Sequence, residues 1–304
     1  MGSSVNSPTP FGKRNGFRPR AKIHSVLDSL TDRDVQLCLA LWEFRVLTTH
    51  QVFEFFFTSP ARARARLVEL YRRGIITRFR PPKRPGSHPQ HYVLDELGAK
   101  IVAGYKGIDL KELGYRKDRV LKWSRSQRLG HLREANDFLS HLGWACRRSG
   151  DHTLTLAEGE ISAGKRAHSE GTIARPDGFG VVDGPDGRCV LLLELDRGSE
   201  TVERVRSKLR HYEMAGYAKN PPWALLFCLH SEKREANLQK ELYRMDGLTI
   251  ATSTLDRHTR DPLGANWLPV GERIRYPLLQ LPSRGTPSKD GRNHTLTIGV
   301  DDDD

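Results

Sequence analysis

The run Trp223–His230, WALLFCLH, is apolar for seven residues without a break. A strand with one solvated face would alternate, so this one reads as a central strand covered on both faces. That requires helices packed over a sheet, and the neighbouring sequence supplies them. QRLGHLREANDFLSHLGWACRR places Leu132, Ala135, Leu139, Leu142 and Cys146 at helical spacing. HTLTLAEGE alternates as a strand does, and PDGFGVVDGPDGRCVLLLELD reads as a hairpin turning at DGPDG. SETVERVRSKLRHYEMAGY reads as a helix capped by Ser199, with Val202, Val205, Leu209 and Tyr212 on one face. A helix over about 232–245 and the strand GLTIATS complete the pattern. Residues 127–255 therefore read as helix, three strands, helix, strand, helix, strand, in an α/β chain.

The N-terminal half is punctuated differently. LTDRDV offers Thr31 as a helix cap with Asp34 three residues on, and LTTHQV repeats the device with Thr48 and Gln51. SPARARARLVELYRRG gives Ser59 as cap, Pro60 at the first helical position and Gly74 as stop. Helices are expected over about 31–45, 48–58 and 60–73, joined by short connections. Strands IITRFR and QHYVLD then flank the loop PPKRPGSHP, and a helix follows at about 95–105. Residues 25–105 thus read as a winged helix-turn-helix. Residues 1–24 read as a disordered basic arm, 106–126 as a linker rich in Lys, Arg and Gly, and 256–304 as a C-terminal extension ending in Asp301–Asp304.

Charge separates the same two parts. The chain carries a net +12, but residues 1–125 hold 24 Lys+Arg against 11 Asp+Glu, a net +13, leaving −1 for the rest. One module for a polyanion explains that asymmetry better than general basicity does. On the third helix Ala63, Leu67 and Leu70 can face the core, leaving Arg62, Arg64, Arg66 and Arg73 on other faces. The hairpin adds Arg78, Arg80, Lys83 and Arg84. The planar fork of arginine suits phosphate oxygens and the guanine edge. Double-stranded DNA is therefore the expected partner. Lys13, Arg14, Arg18, Arg20 and Lys22 of the arm either lie along phosphates or belong to an uninvolved tail.

The order of elements in residues 128–255, with RPD opening one strand and ELD closing the next, resembles the PD-(D/E)xK nuclease superfamily. The resemblance implies that Asp177 and Glu194 hold Mg²⁺, with Mn²⁺ as a substitute. Hard carboxylate oxygens suit that ion, and Glu158 or Glu160 matches the further acid that some members carry. The superfamily lysine is absent; Asp196 stands in its place, on the same face as Glu194. Lys208 on the following helix can replace that lysine from the side, with Asp196 as a metal ligand or as the partner of Lys208; the alternative is a snorkelling surface lysine. Tyr212 reads as core, or more sharply as a phosphotyrosyl nucleophile.

Taken whole, YVLDELG, RPDGFGVV and LELDRGSETVERVRSKLRHY resemble the replication-relaxation family of plasmids and other mobile elements, over about residues 30–230. There Asp196 is the usual residue. The resemblance implies a role in replicating or relaxing element DNA, with replication or conjugation proteins as partners. Three readings remain: a metal-dependent nickase, a non-enzymatic DNA-binding initiator or accessory factor, and a winged-helix regulator. No phosphate-loop motif, CxxC cluster or GxSxG elbow occurs. Cys38, Cys146, Cys189 and Cys228 each fall in an apolar pattern and read as buried thiols of a reducing compartment. With no membrane-length apolar run, a cytoplasmic location is expected.

Overall fold

The computed structural model describes residues 29–81, 88–198, 201–213, 223–245 and 247–281. Lys83, Arg84, the basic arm, the Ser199 cap and Asp301–Asp304 lie outside the described residues. The protein is mixed α/β and falls into two compact units, one up to Arg133 and one from Glu134. Among the described residues no helix is long and apolar enough to cross a membrane.

The N-terminal unit runs α1 (Asp32–Glu43), β1 (Leu47–Thr48), α2 (Thr49–Phe56), α3 (Pro60–Arg72), β2 (Ile76–Phe79), β3 (His91–Leu94) and α4 (Glu96–Tyr105). The expected caps are in place. Thr31 and Asp34 form a reciprocal capping box on α1, and Thr48 and Gln51 form one on α2. Ser59 caps α3, and Gly74 ends it with a left-handed φ of 77° that costs a glycine little. A third strand, β1, is not expected from the sequence; it pairs with β3 to give the order β1–β3–β2.

The β2–β3 ladder pairs Thr77 with Val93 and Phe79 with His91, so these four share one side of the sheet. Phe79 and Val93 of that side pack with Val46, Leu129 and Leu132, and with Val120 and Trp123. On the other side the Arg78 guanidinium lies 4.4 Å from the ring centre of Tyr71 on α3. Residues 106–126, expected as a linker, contain α5 (Leu110–Leu113), α6 (Lys117–Lys122) and a 3-10 turn at Trp123–Arg125.

Helix α7 (Leu129–Ser149) starts before Glu134 and runs on into the second unit, which continues with β4 (Thr153–Gly159), α8 (Glu160–Ser169), β5 (Gly178–Gly184), β6 (Gly187–Asp196), α9 (Val202–Glu213), β7 (Trp223–Leu229), α10 (Glu232–Gln239), β8 (Leu248–Thr254), α11 (Leu255–Arg260) and β9 (Leu268–Pro269). These strands form one sheet in the order β4–β5–β6–β7–β8–β9. It is parallel across β6, β7 and β8 and antiparallel at both edges. β7 is central, as its unbroken apolar run requires.

Helix α8 corrects the expected run of three strands: it stands between β4 and β5. Gly159 at its start makes no side-chain cap, and Gly164 sits inside it, so the usual start signals are missing. Helix α10 also stops at Gln239, short of the expected 245. Ala163 of α8, Val205, Leu209 and Tyr212 of α9 and Leu238 near the end of α10 share one core with Phe179, Leu192, Leu225, Phe227 and Ile250. Gly178 allows a close approach of α7, because a Cβ there would stand 3.0 Å from Leu139 Cδ1. All four cysteines are buried and unpaired, and burial pushes each thiol pKa upward, so they are poor nucleophiles.

Candidate functional site

Helix α3 divides its arginines between two tasks. Arg62 and Arg64 are exposed, and so is Arg72, which the helical spacing alone did not single out. Arg66 is turned inward instead. Its Nε donates to Asp34 Oδ1 at 2.7 Å, a second nitrogen reaches Asp34 Oδ2, and Nη1 donates to Glu69 at 2.6 Å. Asp34 is 1% exposed, so this pair clamps α3 to α1. Arg73 donates to Ser29 Oγ at 2.8 Å and pairs with Glu69. Arg66 and Arg73 are therefore committed to the fold's own acids and hydroxyls. On β2, Arg78 is half-buried over Tyr71, while Arg80, just beyond the strand, is exposed.

The second unit brings three carboxylates to neighbouring strand ends. Asp177 stands just before β5, half-buried; its N–H donates to Leu193 O at 2.7 Å and its Oδ2 accepts the Leu195 N–H at 2.8 Å. Glu194 on β6 is 1% exposed. Lys208 Nζ donates to its Oε2 and the Tyr212 hydroxyl to its Oε1, both at 2.7 Å. Burial pushes the Glu194 carboxyl up to about 7; Lys208 opposes that rise and Asp177 adds to it. Tyr212 is 1% exposed and donates its hydroxyl to Glu194, so it lies in the core.

Asp196 is also buried, but its cation is not Lys208. Oδ1 accepts the Gly198 N–H at 2.6 Å, and Oδ2 takes Arg234 Nε at 2.8 Å. The expectation that Asp196 pairs with Lys208 is thus corrected: Arg234 of α10 neutralises it, and Lys208 belongs to Glu194. Glu158 on β4 is held by both arms of Arg166, at 2.8 and 2.5 Å. Glu160 sits in the first turn of α8 and lines a cleft with Ile161, Lys165, His168, Ile173 and Arg175. Glu134, at the start of the second unit, pairs with Arg197 at 3.1 Å.

Most oxygens of these three carboxylates are engaged within the fold. Both oxygens of Glu194 and both of Asp196 already accept hydrogen bonds from cations, a phenol or an amide, and Asp177 gives one oxygen to the β6 backbone. Among the described residues no group of three His, Cys, Asp or Glu side chains stands where it could hold a metal ion. As it stands, the arrangement can share a proton and bind cationic side chains within the fold.

A family model described as replication-relaxation matches residues 39–222, more than half of the chain, and spans both units. No curated protein and no solved structure matches the chain. The chain belongs to the replication-relaxation family.

Proposed function

We propose that this replication-relaxation protein is a duplex-DNA-binding factor acting in the replication or relaxation of a mobile element's DNA. The N-terminal unit is read as a winged helix-turn-helix, with α3 as the helix laid in the major groove and β2–β3 as the base of the wing. The observation that carries this is the exposure of Arg62, Arg64 and Arg72 on one helix, beside Arg80 at the end of β2. Exposed guanidinium groups on a rigid element can meet both phosphates and base edges. The second unit is read as a PD-(D/E)xK-like scaffold whose acidic centre is closed by Lys208, Arg234 and Tyr212, and which serves to grip DNA or cytoplasmic replication and conjugation proteins.

A second reading, nicking with Mg²⁺ or Mn²⁺ at Asp177 and Glu194, is favoured by one observation. Lys208 arrives at Glu194 from α9, as a lysine moved off the strand must. One experiment separates the two. Supercoiled plasmid carrying the element's origin is incubated with full-length protein, with and without each metal, and binding is followed in parallel by gel shift. Binding with no open circles supports the DNA-binding factor. Open circles that depend on metal and vanish in Lys208→Ala support the nickase. No binding in either condition defeats both.

A further inference from the structure

Residues 115–132 are pinned to the N-terminal unit. The Tyr115 hydroxyl donates to Leu94 O at 3.3 Å, and Lys117 Nζ donates to Asp95 Oδ1 at 2.8 Å. Asp95 is 4% exposed and caps α4, so this anchor is part of the unit's own folding. Val120, Trp123, Leu129 and Leu132 then pack against Phe79 and Val93 of the hairpin. Val120 lies on α6, Trp123 in the 3-10 turn, and Leu129 and Leu132 in the first turn of α7.

Arg119, Lys122, Arg125 and Arg128 recur at every third position of the same segment, and all four are exposed. Between Tyr115 and Arg128 the sequence holds a single acid, Asp118, which pairs with Arg116 at 3.3 Å. Four evenly spaced cations thus sit on a segment packed against the side of the hairpin opposite α3.

We propose that Arg119, Lys122, Arg125 and Arg128 form a second phosphate-binding surface, which holds DNA backbone beyond the stretch contacted by α3. The proposal rests on the reading of the N-terminal unit as DNA-binding and deepens it. The hairpin has α3 against one side and residues 117–132 against the other, so exposed cations stand on both sides of the wing. A duplex presents a phosphate about every 3.4 Å along each strand, so a duplex that continues past the hairpin offers the row an unbroken line of acceptors. Such contacts carry no sequence information; they add affinity and fix orientation.

The test uses the full chain and a random-sequence DNA duplex, since the phosphate term does not depend on sequence. Binding constants are measured between about 50 and 200 mM salt, and the slope of log K against log salt is read. Each phosphate neutralised adds about 0.9 to that slope, so replacing all four residues by Gln is expected to flatten it by about 2–4. A companion variant, Arg119→Lys, Arg125→Lys and Arg128→Lys, keeps the charges and is expected to keep the slope. Retention of the slope in that companion, together with an unchanged melting temperature in the Gln variant, shows that the loss is electrostatic and not a folding defect. A Gln variant with wild-type slope, while wild type binds and Arg64→Ala weakens binding, overturns this surface and leaves the proposed function standing. Wild type that does not bind duplex at any salt overturns both. A slope that falls equally in the Lys companion also overturns it, since shape rather than charge would then be responsible.

Discussion

Arg66→Ala separates a structural arginine from a DNA-contacting one on the same helix. Asp34 is 1% exposed and accepts two nitrogens of Arg66; the Arg66 side chain is itself only 21% exposed. Asp34 in turn draws the Arg66 guanidinium pKa further upward, chiefly through that hydrogen bond. Removing one member of a buried ion pair costs about 3–5 kcal/mol when the other is left uncompensated. Asp34 would not be left bare, because the Thr31 N–H and hydroxyl still donate to it at 2.9 and 3.0 Å. The expected loss is therefore about 2–3 kcal/mol, against about 0.5 kcal/mol or less for the exposed Arg62→Ala or Arg64→Ala. Because the chain has two units, a single unfolding midpoint would blend them. Native-state hydrogen exchange over residues 32–43 and 60–72 reads the effect locally. Protection there should fall about 30- to 150-fold in Arg66→Ala, which is the same free energy expressed as an equilibrium. Duplex affinity lost in Arg66→Ala with protection of α1 and α3 unchanged would show that Arg66 faces DNA, and would refute the clamp.

On the outward face, Arg64→Ala with Arg72→Ala should weaken duplex binding and lower the salt slope by about 0.9 for each phosphate no longer neutralised, measured by fluorescence anisotropy; an unchanged slope removes these residues from the DNA surface. The raised Glu194 carboxyl makes stability depend on pH. The folded state keeps its proton up to about 7 while an unfolded glutamate loses it near 4.3, so this stabilisation is full below about 4.3 and falls as pH rises to about 7. Relative to Glu194→Gln, the wild type should therefore lose urea resistance between about pH 5 and 7, within the limits that those pKa values set; a difference that is flat over the range contradicts it. Asp196→Lys sets two buried cations against each other at Arg234. It should lower stability by about 3–5 kcal/mol in urea unfolding of the second unit, and adding Arg234→Asp should recover part of it. Asp196→Lys with wild-type stability would show that the pair does not matter to the fold.

Local signals carry far in this chain. The caps at Thr31, Thr48 and Ser59 and the stop at Gly74 are interactions between residues a few positions apart, and each can be read from spacing. The apolar run 223–229 likewise reports its own burial on a central strand. What spacing conceals is the identity of a distant partner. A helix wheel places Arg66 off the core stripe, but whether water, DNA or Asp34 faces it is decided by α1, 32 residues earlier. Arg234 lies 38 residues beyond Asp196 and carries no local mark of its role. Residues 106–126 hide their structure for another reason. Their Lys, Arg and Gly content suggests a linker, while their helical pieces of three to six residues are too short for the helical template to register.

The same reasoning explains how this acidic centre can be buried. A carboxylate withdrawn from water costs several kcal/mol unless a partner replaces the lost solvent. Glu194 and Asp196 are the two deepest acids at the strand ends, and each has been given its own cation from a different helix: Lys208 from α9 and Arg234 from α10. Asp177, nearer the rim, accepts a backbone N–H. Of these five groups three are acids and two are cations, which leaves one negative charge in excess. Glu194 is the acid whose pKa moves upward, driven first by burial and raised further by Asp177, while Lys208 opposes the rise. Tyr212 fits the same account, because a phenol can donate to Glu194 Oε1 in either protonation state of the carboxyl. Asp196 and Arg234 form a matched pair that ties the end of β6 to α10.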